Sequence, residues 1–198
     1  MRKGEETRER IVAQAAAVFN VSGYAGTAIS DIMRVTHLEK GGIYRHFDTK
    51  EQLAHAAFDY AATQVRQRCA AALAGKAHAA DVLIAFLGVF RSYAQQPPLP
   101  GGCPVLNTAV ESDDTNPVLR ERARAVVEEW RGTIRGAVLA GIARGEIRAS
   151  VDAEQLALLL IATMEGAVML TMLLRDAAPL EQAYAHLRQH IDTTIRQS

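Results

Sequence analysis

The chain has 198 residues, nearly half of them apolar, with 22 basic and 22 acidic side chains. That length can bury a full core and leaves room for a small domain beside a larger one. Zero formal net charge excludes a protein that holds nucleic acid by bulk charge alone, and two cysteines, Cys69 and Cys103, exclude a disulfide framework. Residues 1–55 carry eight Lys and Arg against seven Asp and Glu, so any basic signal there is local. Mixed charges over residues 1–6 and an amphipathic run over 11–19, broken by Gln14, argue against a secretory signal. A bacterial-type cytoplasm is the expected compartment.

A first helix is predicted over residues 5–21. Residues 27–51, TAISDIMRVTHLEKGGIYRHFDTKE, then read as two short helices, a tight turn and the capped start of another helix. Thr27 is placed to cap a helix in which Ile29, Ile32, Met33 and Val35 recur near the helical period. The run Thr36, His37, Leu38, Glu39 is too short for an independent loop, so the next helix must cross the first steeply, with Leu38 between them. Residues 40–46 form the second helix; Ile43 and Phe47, four apart, face the core, which leaves Lys40, Gly41, Gly42, Tyr44, Arg45 and His46 on the outer surface. Adjacent glycines cost a helix about 1 kcal/mol each relative to Ala, and close approach of DNA to the backbone is one reason to keep them. Thr49 and Gln52 match a capping box at the start of a helix running to about residue 73, and its first turn points Lys50 outward.

These spacings resemble the N-terminal signature of the TetR family of transcriptional regulators. The resemblance rests on Gly23, Tyr24, Thr27, Ile29, Asp31, Ile32, Lys40, Gly41, Ile43, Tyr44, His46, Phe47, Lys50 and Glu51, and covers about the first quarter of the chain. It implies that Lys40, Tyr44, His46 and Lys50 contact the DNA backbone, and that Gly42 and Arg45 lie where base edges are approached; Thr27 and Gly41 complete the expected DNA-binding set. Two positions depart from the family pattern. Glu39 replaces a small hydroxyl residue at the start of the recognition helix, where it can cap the helix, accept from cytosine or repel phosphate. Gly42 stands where Thr or Ser is frequent.

Further helices are predicted over 79–94, 104–111, 117–144, 153–174 and 180–196, so the fold class is all-α. Residues 1–50 are expected to form a three-helix helix-turn-helix DNA-binding domain, and residues 51–198 a larger helical ligand-binding and dimerisation domain. The breaks have their own chemistry. Residues 96–102, QPPLPGG, form a stiff connector; Asn116 caps a helix opened by Pro117; Pro179 opens the last helix. The boundary falls inside the long fourth helix, with no linker.

Residues 156–174, LALLLIATMEGAVMLTMLL, are apolar enough for a membrane span, but central Glu165 and the capped start at Asp152 favour a soluble helix. One monomer of this size cannot cover such a helix on all sides, so a homodimer through the last two helices is expected, and no membrane partner. Two readings are open for Glu165: a structural hydrogen bond in the interface, or a pocket role. Phe86, Phe90, Tyr93, Leu106, Asn107, Trp130, Met164, Met169 and Met172 are candidates to line an apolar ligand pocket, although such side chains at helical spacing also build plain core. Cys103, placed to cap a helix opened by Pro104, joins the ligand-pocket candidates and is either a buried thiol or a sensor of electrophiles or oxidants. His186 and His190 share one helix face without an obvious third ligand, so no metal and no cofactor are expected.

The expected function is a ligand-responsive DNA-binding regulator, a repressor released from a palindromic operator by a small, largely apolar molecule. Its partners would be a double-stranded operator, the effector and a second copy of the chain. The alternative is a helical small-molecule-binding protein, or an enzyme, without DNA binding. That alternative leaves Gly41, Gly42 and the outward Lys40, Tyr44 and His46 unexplained, and no catalytic spacing is present.

Overall fold

The computed structural model describes residues 2–197, and they are almost wholly helical. Nine α-helices follow one another among them: α1 (Arg2–Ser22), α2 (Ile29–Thr36), α3 (Lys40–Tyr44), α4 (Lys50–Leu73), α5 (Ala79–Arg91), α6 (Pro104–Ser112), α7 (Pro117–Ala143), α8 (Ala153–Leu174) and α9 (Ala178–His190). A 3₁₀ turn (Ser92–Ala94) continues α5, and a π turn (Ile191–Ile195) takes up the end of what the sequence predicts as one last helix.

Side chains cap the starts of α4, α5, α7 and α8. Asn116 Oδ1 accepts the Leu119 amide at 3.1 Å ahead of Pro117, and Asp152 Oδ1 accepts the amides of Glu154 and Gln155 at 2.9 and 3.0 Å. His78 Nδ1 accepts the Ala80 amide at 3.1 Å, and Glu146 Oε2 accepts the Ala79 amide at 2.8 Å, so two side chains share the start of α5. Gln52 caps α4 in a wider box than expected: its amide donates to Thr49 Oγ1 at 3.1 Å, while its side chain accepts from Asp48 at 2.9 Å.

The chain divides into two compact units. Unit 1 comprises Met1–Val65 and Pro98–Arg124, and unit 2 comprises Arg66–Pro97 and Ala125–Ser198. Compactness therefore partitions the residues differently from a single cut after residue 50, because α6 and the start of α7 pack with the N-terminal helices. Helices α4 and α7 each contribute residues to both units. In unit 1, Ile11, Ala15, Ile32, Ile43, Phe47, Leu53, Ala57 and Leu99 form one buried cluster, with Leu38 packed against it. Burying each large apolar side chain there contributes about 1.5–3 kcal/mol.

In unit 2, α8 packs on α5 and α9. Ala157, Leu160, Met164, Glu165 and Val168 of α8 are buried, whereas Leu158, Leu159, Met169, Leu170, Leu173 and Leu174 are exposed. Length and composition alone would let α8 cross a membrane, but half of its apolar stretch is buried inside the fold, as in a core helix.

Candidate nucleic-acid interface

The turn after α1 sets the geometry of the helices that follow. Gly23 has φ +73°, a left-handed conformation that glycine adopts without a Cβ penalty. Thr27 does not cap α2. It is buried, its hydroxyl donates to the Gly23 carbonyl at 2.6 Å, and Ala28 occupies the N-cap position with its amide donating to Asp31 Oδ2 at 2.9 Å. The hydroxyl that could have capped the helix is thus spent closing the preceding turn. Thr27, one of the DNA-binding residues that the resemblance implies, thus has its side chain holding the turn.

At the other end of α2, Thr36 Oγ1 donates to the Ile32 carbonyl at 2.7 Å and His37 takes a left-handed conformation, φ 56°. The chain reverses within three residues and starts α3 with Glu39 as N-cap, whose carbonyl accepts the Gly42 amide at 2.8 Å while its carboxylate makes no cap hydrogen bond. Ile43 and Phe47 are buried, as their spacing predicts. Lys40, Gly41 and Arg45 are exposed; Gly42, Tyr44 and His46 are half-buried. A Cβ on Gly41 would meet nothing within 4 Å, and one on Gly42 would make ordinary contact with Leu38 at 3.5 Å. Neither glycine is required by packing.

Among the described residues of unit 1, three cations lie over aromatic rings: Lys40 Nζ 5.8 Å from the Tyr44 ring, Lys50 Nζ 4.4 Å from the Tyr24 ring, and the Arg8 guanidinium 4.8 Å from the Phe47 ring. Lys50 also donates to the Tyr24 carbonyl. Burial, and secondarily the Glu51 carboxylate, raise the Tyr24 phenol above its ordinary pKa. Neither Arg8 nor the anchoring of Lys50 was found from the sequence, since each partner lies many residues away and no local spacing signals the pair.

Residues 11–57 match the family described as bacterial regulatory proteins, tetR family, and residues 79–187 match the tetracyclin repressor-like C-terminal domain. An HTH-type transcriptional regulator of Mycobacterium tuberculosis is 31% identical over 190 residues, covering 91% of this chain and 92% of its own. The chain belongs to the TetR family of transcriptional regulators. The HTH-type transcriptional repressor DhaR of a Mycobacterium species is 25% identical over 177 residues, 88% of this chain and 87% of its own. A solved TetR transcriptional regulator from Chloroflexus aurantiacus is 71% identical, with a TM-score of 0.98 and coverage of 100% of both chains. As a TetR-family member, this is a DNA-binding regulator and not an enzyme; repression, ligand binding and dimerisation are typical of the family.

The ligand candidates of this TetR-family chain fall in both units. Phe86, Phe90, Tyr93 and Trp130 form a buried aromatic cluster in unit 2, with Trp130 edge-on to Phe86 and Phe90 at centroid distances of 6.4 and 5.3 Å. Met164 and Glu165 lie on the buried face of α8. Glu165 is covered by its own chain, and so is not on the exposed stripe expected to form an interface, while Met169 is half exposed on that stripe. Cys103, Leu106 and Asn107 belong to unit 1. Cys103 is the buried N-cap of α6, and Asn107 Nδ2 bonds Asn20 O, Asn20 Oδ1 and Gly101 O at 3.1, 3.0 and 2.9 Å. The N–H donors of Asn107 thus tie α6 to Asn20 and Gly101. A cavity of about 40 Å³ in unit 1 is lined by Phe19, Tyr24, Phe58, Thr108, Glu111 and Asn116 among others, a volume suited to water and well below that of a drug-sized ligand.

Proposed function

We propose that this TetR-family regulator is a cytoplasmic homodimeric repressor that binds a palindromic operator and is released by a small, largely apolar molecule. The observation that carries the reading is the apolar stripe left uncovered on α8: Leu158, Leu159, Met169, Leu170, Leu173 and Leu174. A second copy, joined through α8 and α9, buries it about a two-fold axis and brings two readers to the same face of the duplex. Two linked readers supply the affinity that a nearly neutral N-terminal segment lacks singly.

Functionally, residues 1–50 read DNA and residues 51–198 dimerise and respond to the effector. Lys40, Tyr44, His46 and Lys50 fix the reader on phosphates, while Gly41 and Gly42 let the duplex approach the α3 backbone and Arg45 reaches base edges. The effector lodges among Phe86, Phe90, Tyr93 and Trp130, beside Met164 and Glu165. It has to part rings that now pack against one another, which couples its binding to a rearrangement of unit 2. Sequencing the genomic fragments retained by the purified protein tests the reading: an enriched inverted repeat supports it, and a retained pool without any common site refutes it.

A further inference from the structure

Between α1 and α2 the chain turns through Gly23, Tyr24 and Ala25, and this turn is gripped from two sides. From α6, Glu111 accepts two consecutive backbone amides, Tyr24 N–H on Oε2 and Ala25 N–H on Oε1, each at 2.8 Å. From the first turn of α4, Lys50 donates to the Tyr24 carbonyl and lies over the Tyr24 ring. Gly23 permits the first grip as well as the turn, because a Cβ there would stand 2.7 Å from Glu111 Oε1. One helical turn earlier on α6, Asn107 holds Asn20 at the end of α1. Segments 87 residues apart in the chain are thereby joined at the start of the DNA-reading helices.

We propose that Glu111 is a positioning residue for DNA binding. A carboxylate on two amides makes charge-assisted hydrogen bonds, stronger than neutral ones, so it fixes the Tyr24 and Ala25 peptides in place. Those peptides carry the carbonyl and the ring that seat Lys50. Lysine has three N–H donors, so one on the Tyr24 carbonyl leaves others to meet a phosphate. The same peptides set where α2 begins, and α3 packs on α2. Glu111 acts through the turn and touches no DNA. The proposal rests on the reading of α3 and the start of α4 as the DNA-facing surface.

The experiment measures binding of the full-length protein to a mixed-sequence duplex over a salt series, for wild type, Glu111→Ala, Glu111→Gln, Lys50→Ala and the Glu111→Ala/Lys50→Ala pair. Glu111→Ala is expected to weaken binding roughly tenfold, equivalent to about 1.4 kcal/mol, and to lower the salt slope by about 0.9 as one phosphate contact is lost. Glu111→Gln, whose amide oxygen still accepts one N–H, falls between. In the Lys50→Ala background most of the Glu111→Ala effect disappears, because both act through one contact. A residue with a merely structural role would lower the melting temperature and leave the affinity and salt slope of the folded protein unchanged, which overturns the proposal. Tighter binding by both Ala and Gln variants, the mark of a carboxylate that repels DNA, overturns it too. If Glu111→Ala does not fold, the Glu111→Gln and Lys50→Ala cycle decides by the same criteria. Wild type that fails to bind any duplex at low salt brings down the DNA-facing reading itself, whereas binding wild type with unaltered variants refutes the positioning role alone.

Discussion

Leu173 is 73% exposed on α8, in line with Leu159, Met169 and Leu170, and Leu173→Asp is the most direct test of the proposed dimer. Burying a whole leucine side chain contributes about 1.5–3 kcal/mol, and most of Leu173 is still available to bury when a partner arrives. Taking about 1.5–2 kcal/mol for that remaining part, and counting two copies about the two-fold axis, the lost contribution is about 3–4 kcal/mol. Since about 1.4 kcal/mol is a factor of ten, dimer dissociation should rise by about two to three orders of magnitude. The desolvation of two aspartates adds to that. Because Leu173 is exposed in the single chain, the substitution should leave the monomer's helical content intact, unlike a change at buried Leu160. Sedimentation at micromolar concentration, with circular dichroism beside it, reads both quantities. A folded variant that dimerises as tightly as wild type, or a wild type that is a folded monomer at that concentration, refutes the reasoning.

Lys40→Ala should weaken binding to all duplexes alike and lower the salt slope by about 0.9, whereas Arg45→Ala should reorder the ranking of operator variants; unchanged affinity and slope for Lys40→Ala would remove its phosphate contact. An apolar effector that parts the rings around Trp130 should change tryptophan fluorescence and weaken operator binding by roughly 5- to 150-fold, for coupling of about 1–3 kcal/mol. DNA must then weaken effector binding by the same factor, and equal effector affinity for free and operator-bound protein would show the site to be uncoupled. The Arg144 guanidinium, and then the Ala79 amide, hold the Glu146 carboxyl at about 2, below its ordinary 4.5. The unfolded chain therefore binds the proton first, and the stability this carboxylate contributes is present above pH 4.5 and lost as pH falls towards about 2. Thermal melting across that window should fall less steeply for Glu146→Gln than for wild type, and identical slopes would contradict the assignment.

What the sequence disclosed and what it concealed differ in range. Asn116 with Pro117, and Asp152 ahead of α8, act within one helical turn, so their caps can be read from neighbouring letters. The faces of Ile43 and Phe47 follow from periodicity alone. Thr27 misleads because the same hydroxyl can cap forward or close the turn behind it, and the choice depends on how the Gly23 carbonyl is presented. Lys50 on Tyr24, Arg8 on Phe47 and Glu111 on the Tyr24 amide are long-range pairs with no spacing to betray them. The aromatic positions of unit 2 have one and the same periodicity whether they line a pocket or fill a core, and periodicity does not carry which rings meet across helices.

The chain path through unit 1 bears on how the protein is made. After Val65 the polypeptide leaves that unit, builds Arg66–Pro97 elsewhere, and comes back at Pro98. A ribosome that has released the first 65 residues has supplied Asn20 and the Tyr24 turn, but neither Asn107 nor Glu111 has been synthesised. Domains fold as units during synthesis, N-terminal first. Here the N-terminal unit has to wait for the excursion and for α6 before its polar clamps can close. For the same reason a chimaera cut at a single point after α4 would take the DNA-reading helices without Pro98–Arg124, whereas one that carries both segments would keep the unit whole.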